Sequence, residues 1–210
     1  RVKDLHLLTV PIGGMSADML IGAGVVSKLE AAAVTLGEAG LAPRFTDAVE
    51  SGTLSVRDST CPAIHTALQA SEKGVPFMPL GGLIGSDLVK NRDDWKVVDD
   101  PLGLGEEGGG GPVLLLPAIK PDVALFHSPK ADIHGNVWIG RRRELMTMAH
   151  ASSASLVTVE TIEDRDFLAD EETAAGTLAS LYVTAIAEAK NGAWPQGLTG
   201  HYDRDADHIR

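Results

Sequence analysis

The sequence predicts an α/β protein built on an open, mainly parallel, twisted sheet flanked by helices. Two observations carry this expectation. Short apolar runs alternate with helix-length segments along the 210 residues, the pattern of successive βαβ units. Apolar residues make up 44 % of the chain but aromatics only 4 %, so the core is aliphatic, which suits strands buried on both faces. A chain of this length fits one large domain.

The elements follow in order. Residues 5–11 (LHLLTVP) form a short apolar run closed by Pro11, Gly13 and Gly14, a strand leading into a tight turn. Ser16 is the expected N-cap of the helix that follows. Within 29–36, Val34-Thr35-Leu36 is the expected strand. Residues 43–51 read as a helix, with Pro43 in the first turn and Gly52 past its end. A strand at 54–56 precedes a helix over 62–73, again bracketed by Pro62 and Gly74. Phe77-Met78-Pro79 runs into the loop Gly81-Gly82-Leu83-Ile84-Gly85-Ser86-Asp87. Residues 99–111 hold few apolar side chains and end in four glycines, so a mobile loop is expected there. Strands are expected at 113–117, 122–127, 137–139 and 154–160, and a helix at 142–151. Leu178, Leu181, Tyr182, Ala185, Ile186 and Ala189 recur at helical spacing and predict a helix over 176–190.

The formal net charge is −11, which argues against a general nucleic-acid binder or a protein docked on anionic lipid. An anionic small ligand stays open, because helix N-termini and a few local cations bind phosphate on acidic proteins. The single cysteine, Cys61, leaves no internal disulfide and no multi-cysteine zinc site. No apolar run is long enough to span a bilayer and no signal peptide is seen, so a cytoplasmic protein is expected. Residue 1 is Arg and the chain stops at His208-Ile209-Arg210. The expectation is a single domain over 1–210, seen without its first and last parts.

Three stretches together carry a family resemblance. One is Gly40-Leu41-Ala42-Pro43-Arg44-Phe45, running into Ala48-Val49-Glu50-Ser51-Gly52. Another is Ala67-Leu68-Gln69-Ala70 with Gly74-Val75-Pro76-Phe77-Met78-Pro79 and then 82–88. The most specific is 117–127 (PAIKPDVALFH), followed by Ala131-Asp132 and Gly135-Asn136-Val137. With Tyr202-Asp203-Arg204-Asp205 near the end, the chain resembles the A subunits of family I coenzyme A transferases, of the glutaconate and 3-oxoacid type. The resemblance implies a sheet fold shared by A and B subunits, and a reaction that moves CoA from an acyl-CoA to a carboxylic acid. It implies a B-subunit partner whose glutamate is the nucleophile, an A2B2 assembly, coenzyme A as substrate and no permanently bound cofactor. No catalytic residue is expected in this chain, which would be inactive alone. The family's usual Gly-rich βα unit before residues 5–10 is missing from the sequence, as is the glutamate motif of B subunits. Two alternatives stay open: a CoA-ester hydrolase or ring-opening enzyme on the same fold, and a non-catalytic acyl-CoA-binding module.

Each candidate site also has a bland reading. The turn Gly13-Gly14-Met15-Ser16 either presents N–H groups to a substrate oxygen or is a plain tight turn. Gly82, Gly85 and Ser86 line the acyl pocket by resemblance, or belong to a connector without a P-loop ending. Cys61 sits at a helix start, which can lower a thiol's pKa, but is read as a small buried thiol without a paired histidine. His127, Asp132 and His134 fit no standard zinc spacing, and no metal site is expected. Asn136 is a turn residue or, by resemblance, lies near the active site. Lys130, Arg141 and Arg142 belong to the one basic cluster, which contacts the phosphates of CoA or forms a salt-bridge patch.

Overall fold

A computed structural model describes residues 2–103 and 110–209. The chain divides into two compact units, Arg1–Ile119 and Lys120–Arg210. Among the described residues, no helix is long and apolar enough to cross a membrane.

The first unit begins with β1 (Leu5–Leu8), β2 (Ile12–Gly13), α1 (Met15–Gly22), β3 (Val26–Ala31), β4 (Ala33–Val34), α2 (Pro43–Glu50), β5 (Ser55–Asp58) and α3 (Cys61–Glu72). Strands β1, β3 and β5 pair in parallel in that order. Strands β2 and β4 continue the ladder beyond the carboxyl ends of β1 and β3, also in parallel. The connections are helical because the local signals agree. Pro occupies the first turn of both α2 and α3, and Gly52 (φ 69°) and Gly74 (φ 68°) stand just past their ends. Thr60 caps α3 by accepting the Ala63 N–H at 3.3 Å. The buried residues of α3, Ala63, Ile64, Ala67, Leu68 and Ala70, follow one helical face. Ile64 and Leu68 are fully buried, each contributing about 2 kcal/mol of transfer free energy.

The chain continues with β6 (Phe77–Leu80), α4 (Asp87–Lys90), β7 (Lys96–Asp99) and β8 (Pro112–Pro117). These strands form a separate antiparallel sheet in the order β6-β8-β7. Strand β7 was not expected; it carries only two apolar residues and is ordered by pairing with β8 rather than by its own pattern. Residues 104–109 of the expected 99–111 loop lie outside the described residues. The strand expected at 34–36 is displaced: the main strand is β3, beyond it Ala33 and Val34 form β4, and Thr35 makes an isolated bridge to Leu41.

The second unit holds β9 (Val123–Asp132), β10 (Val137–Trp138), α5 (Arg143–Ala151), β11 (Ala154–Glu163), α6 (Glu171–Ala174), β12 (Thr177–Leu178), β13 (Ala185–Glu188) and α7 (Ala206–Ile209). Its sheet runs β12-β10-β9-β11-β13. Strands β9, β11 and β13 are parallel, while β10 and β12 close one edge antiparallel. Ala124, Phe126, Val157 and Val159 pack under Leu145, Met146 and Met148 of α5. The helix expected over 176–190 is not there. Residues 177–178 and 185–188 are strands, with a 3-10 turn between. The helical spacing fails because Leu181 is 84 % exposed while Leu178 is fully buried. What decides the conformation is β11, which offers an edge at Leu156–Val159 for Ala185–Glu188; this long-range pairing overrides local propensity. The expected α/β class is found; among the described strands, antiparallel ladders are those of β6-β8-β7 and the β10/β12 edge.

Candidate functional site

The parallel strands β1, β3 and β5 point their carboxyl ends to one edge, the usual place for ligands in open α/β sheets. The β2–β4 ladder sits on this edge and delivers the chain to α1. Gly13 is packed so tightly that an added Cβ would lie 3.0 Å from Thr9, 3.1 Å from Ala17 and 3.2 Å from Val34. Gly14 is the extended N-cap residue, and no side chain caps α1. The N–H groups of its first turn are therefore left to a ligand or solvent. Ser16 lies inside the helix, not at its cap, because the β2–β4 pairing carries the chain to Gly14 before it turns. Met15 is half-buried and Ser16 exposed. The helix is anchored by Asp18, 1 % exposed, which accepts from Arg44 Nη1 at 3.0 Å and from the Phe45 N–H at 2.9 Å.

The same edge carries the start of α3. Ser59 is buried at the end of β5, whereas Cys61, expected to be buried, is exposed, because it is the first helical residue and α3 buries the face of Ala63, Ile64 and Ala67 instead. The loop of Gly82, Gly85 and Ser86 follows β6. Leu83 (φ 72°) and Gly85 (φ 85°) both take left-handed backbone there, and Ser86 precedes α4. Nearby is a buried charge network that sequence reasoning missed. Arg92 and Glu30, 6 % and 3 % exposed, pair at 2.9 Å. Burial alone would lower the Arg92 pKa, but the Asp94 and Glu30 carboxylates outweigh it and hold it above its ordinary value. Nothing in the polar run around Arg92 separates it from a solvated loop.

The second unit contains Asn136, Lys130, Arg141 and Arg142. The Asn136 amide is committed internally: its Nδ2 donates to Asp132 Oδ2 at 2.8 Å and its Oδ1 accepts the Ser180 N–H at 2.9 Å. Asp132 also accepts the N–H groups of His134, Asn136 and Phe167. Burial pushes this carboxyl up, but those donors together hold it below its usual range. The cluster of His127, Asp132 and His134 thus divides between a turn organised by Asp132 and a separate network around His127. Lys130 pairs with Glu163 at 3.1 Å and lies within 5.4 Å of the Trp138 and Phe167 rings. Arg142 reaches Glu144 only at 3.8 Å, and Arg141 is exposed. Of the basic cluster, the arginines are the more available.

Glu160 on β11 accepts as many hydrogen bonds as Asp132, four. Its Oε1 accepts from His127 Nε2 (2.9 Å), the Tyr202 hydroxyl (2.7 Å) and the Gly192 N–H (3.1 Å). Its Oε2 accepts the Asn191 N–H at 2.8 Å. Burial raises its pKa, but Tyr202, Asn191, His127 and Gly192 outweigh that and keep it below the ordinary glutamate value. The other His127 nitrogen bonds Thr158 Oγ1 at 2.9 Å. Tyr202 in turn accepts the Ala193 N–H at 2.9 Å. This node fastens the irregular segment around 189–204 to the sheet. Among the described residues, the buried carboxylates Asp18, Glu30, Asp132 and Glu160 are all held by donors or cations, a poor state for a nucleophile.

Known proteins resemble this chain along nearly its whole length. A family model described as coenzyme A transferase matches residues 1–189. The chain is 32 % identical over 210 residues to the A subunit of the 3-oxoadipate CoA-transferase of Pseudomonas knackmussii, covering 97 % of this chain and 70 % of that one. It is 28 % identical to the A subunit of the glutaconate CoA-transferase of Acidaminococcus fermentans, over 100 % of this chain and 68 % of the relative. A solved structure of glutaconate coenzyme A-transferase from that organism superimposes with a TM-score of 0.84 at 26 % identity, covering 99 % of this chain and 68 % of that chain. The chain is also 27 % identical to a cholesterol ring-cleaving hydrolase IpdA subunit of Rhodococcus jostii, covering 97 % of this chain and 70 % of the relative. With a family match over nine-tenths of its length and a solved member sharing its fold, the chain belongs to the coenzyme A transferase family.

Proposed function

We propose that this chain is the A subunit of a heteromeric CoA transferase, its two compact units serving as one subunit. In this reading it works in the cytoplasm in an A2B2 assembly with a B-type partner. The observation that carries the reading is the likeness to two A subunits along essentially the whole chain. The tied-up state of the buried carboxylates supports a nucleophile supplied from elsewhere.

In this reading a partner glutamate attacks the acyl-CoA carbonyl and expels the CoA thiolate, leaving an acyl–glutamyl anhydride. The thiolate attacks the glutamyl carbonyl and releases the first carboxylate, leaving a glutamyl thioester. The acceptor carboxylate then attacks that thioester, and CoA returns to the new acyl group by the same steps reversed. The Gly13-Gly14 turn and the uncapped first turn of α1, with Met15 and Ser16, donate N–H groups to the developing oxyanion. Gly82, Gly85 and Ser86 border the acyl group. Arg141 and Arg142, together with Lys130, meet the CoA phosphates. Asn136 contributes by fixing the 132–136 turn. Coenzyme A is the substrate, and the scheme uses no bound cofactor.

Co-expression with a B-type chain tests this. The pair should exchange CoA between an acyl-CoA and an acceptor acid, and hydroxylamine with acyl-CoA should inactivate it by modifying a partner glutamate. Each chain alone should be inactive. Release of free CoA with no dependence on acceptor defeats the transferase reading and favours hydrolysis of a CoA ester, the second reading, which rests on the likeness to the Rhodococcus hydrolase.

A further inference from the structure

Arg92 is the one buried Arg or Lys among the described residues, and its bonds reach unusually far. Its Nε and Nη2 grip the Asp94 carboxylate at 2.9 Å each. Nη2 also meets Glu30 Oε1 at 2.9 Å, and Nη1 donates to the Asp58 carbonyl at 3.0 Å. Glu30 is the penultimate residue of β3 and Asp58 the last of β5. The guanidinium also lies 4.3 Å over the Trp95 ring. Trp95 packs in a cluster with Ala63, in the first turn of α3, and with Leu83 from the 81–87 loop. One planar cation therefore joins the carboxyl ends of two neighbouring parallel strands directly, and through Trp95 it reaches the cluster that includes the start of α3 and the glycine-rich loop. All of these belong to the first unit.

Burying a charge is costly until its partners offset it, and an apolar side chain of similar volume is often as stabilising or more so. A cation kept here calls for a geometric reason, and the guanidinium supplies one: several donors fixed in one plane, which lysine lacks.

We propose that Arg92 is a positioning residue for the acyl-CoA site. It acts through Asp58 and Trp95, setting the α3 N-terminus and the 81–87 loop against the carboxyl edge. The proposal rests on the transferase reading above. Small misplacement of a site costs far more in rate than in stability.

The test uses this chain in complex with its B-type partner. Arg92→Lys keeps the charge beside Glu30 but cannot satisfy Asp94, Glu30 and the Asp58 carbonyl together. A second variant, Arg92→Met with Glu30→Gln, removes both buried charges and leaves neither unpaired. Both should keep a cooperative melt. In both, kcat should fall by about 10- to 100-fold while KM for acyl-CoA moves by less than about threefold. A second readout needs no turnover: alkylation of Cys61, the chain's single thiol, should change several-fold in rate, because that thiol sits on the α3 turn. Wild-type kcat and wild-type Cys61 reactivity in the double variant would overturn the proposal. If the unmodified pair exchanges no CoA, the transferase reading fails, and an unchanged Cys61 rate still decides against Arg92 as the setter of this edge.

Discussion

Glu160→Gln isolates the carboxylate that fastens the segment around 189–204. Glutamine has the same shape but one acceptor oxygen. If that oxygen takes the Oε1 position, three donors keep a neutral partner and the Asn191 N–H faces an amide NH2. A buried N–H without an acceptor costs about 1–3 kcal/mol, and a hydrogen bond to a charged group exceeds a neutral one by about 1 kcal/mol. A neutral amide is cheaper to desolvate, which returns part of this. The net loss should be about 2–4 kcal/mol. For a unit of this size that lowers the melting temperature by about 10 °C or more. Hydrogen exchange at Asn191, Gly192 and Ala193 should accelerate by at least about tenfold, since 1.4 kcal/mol is one decade. The pH dependence has a definite sign. The folded pKa of Glu160 lies below its ordinary value, so its contribution is complete above about pH 5 and is lost as pH falls through the folded value. The stability gap between wild type and Glu160→Gln should therefore be flat above about pH 5 and narrow below it. An unchanged melt together with unchanged exchange at 191–193 would show that Glu160 does not hold the segment.

Three further outcomes follow from the same geometry. Gly192→Ala would place a Cβ 2.5 Å from His127 Cε1 and 2.9 Å from the Ala189 carbonyl; chemical denaturation should show a loss of about 1–3 kcal/mol. Asp132→Asn keeps one acceptor oxygen; with it at the Oδ1 position, the Phe167 N–H and the Asn136 Nδ2 face an amide NH2 instead of a carboxylate oxygen, so urea unfolding should register a loss of about 2–4 kcal/mol. Arg141→Ala with Arg142→Ala should raise KM for acyl-CoA by about 3- to 10-fold in the assembled enzyme, about 1 kcal/mol, and leave the melting temperature unchanged; an unaltered KM removes these arginines from the CoA phosphates.

The parts of the fold legible in the sequence are those whose determinants are local. Helices α2 and α3 announce themselves through Pro43, Pro62, Gly52 and Gly74. Strands β8, β9 and β11 do so through long aliphatic runs. The failures share one cause. Strand β13 and strand β7 are ordered by partners far away in sequence, Leu156–Val159 for β13 and Val113–Leu115 among others for β7, and neither carries a decisive pattern of its own. The site divides in the same way. The Gly13-Gly14 turn was visible because a strand, two glycines and a helix start stand in a row. Arg92 and Glu160 were not, because burial and partners depend on which strands lie side by side. Only the register that sets His127 beside Thr158 shows that a histidine and a glutamate 33 positions apart form one node.

The three tryptophans are spread in a useful way. Trp95 is buried against Arg92 in the first unit, Trp138 lies on the short strand β10, and Trp194 stands half exposed in the segment that Glu160 holds. Leaving any one of them as the sole indole gives an optical report on one region: emission from Trp95 shifts red if the carboxyl edge loosens, and solute quenching of Trp194 rises if the tail lifts from the sheet. The chain thus carries its own set of local fluorophores, and these two regions can be watched independently in one cuvette.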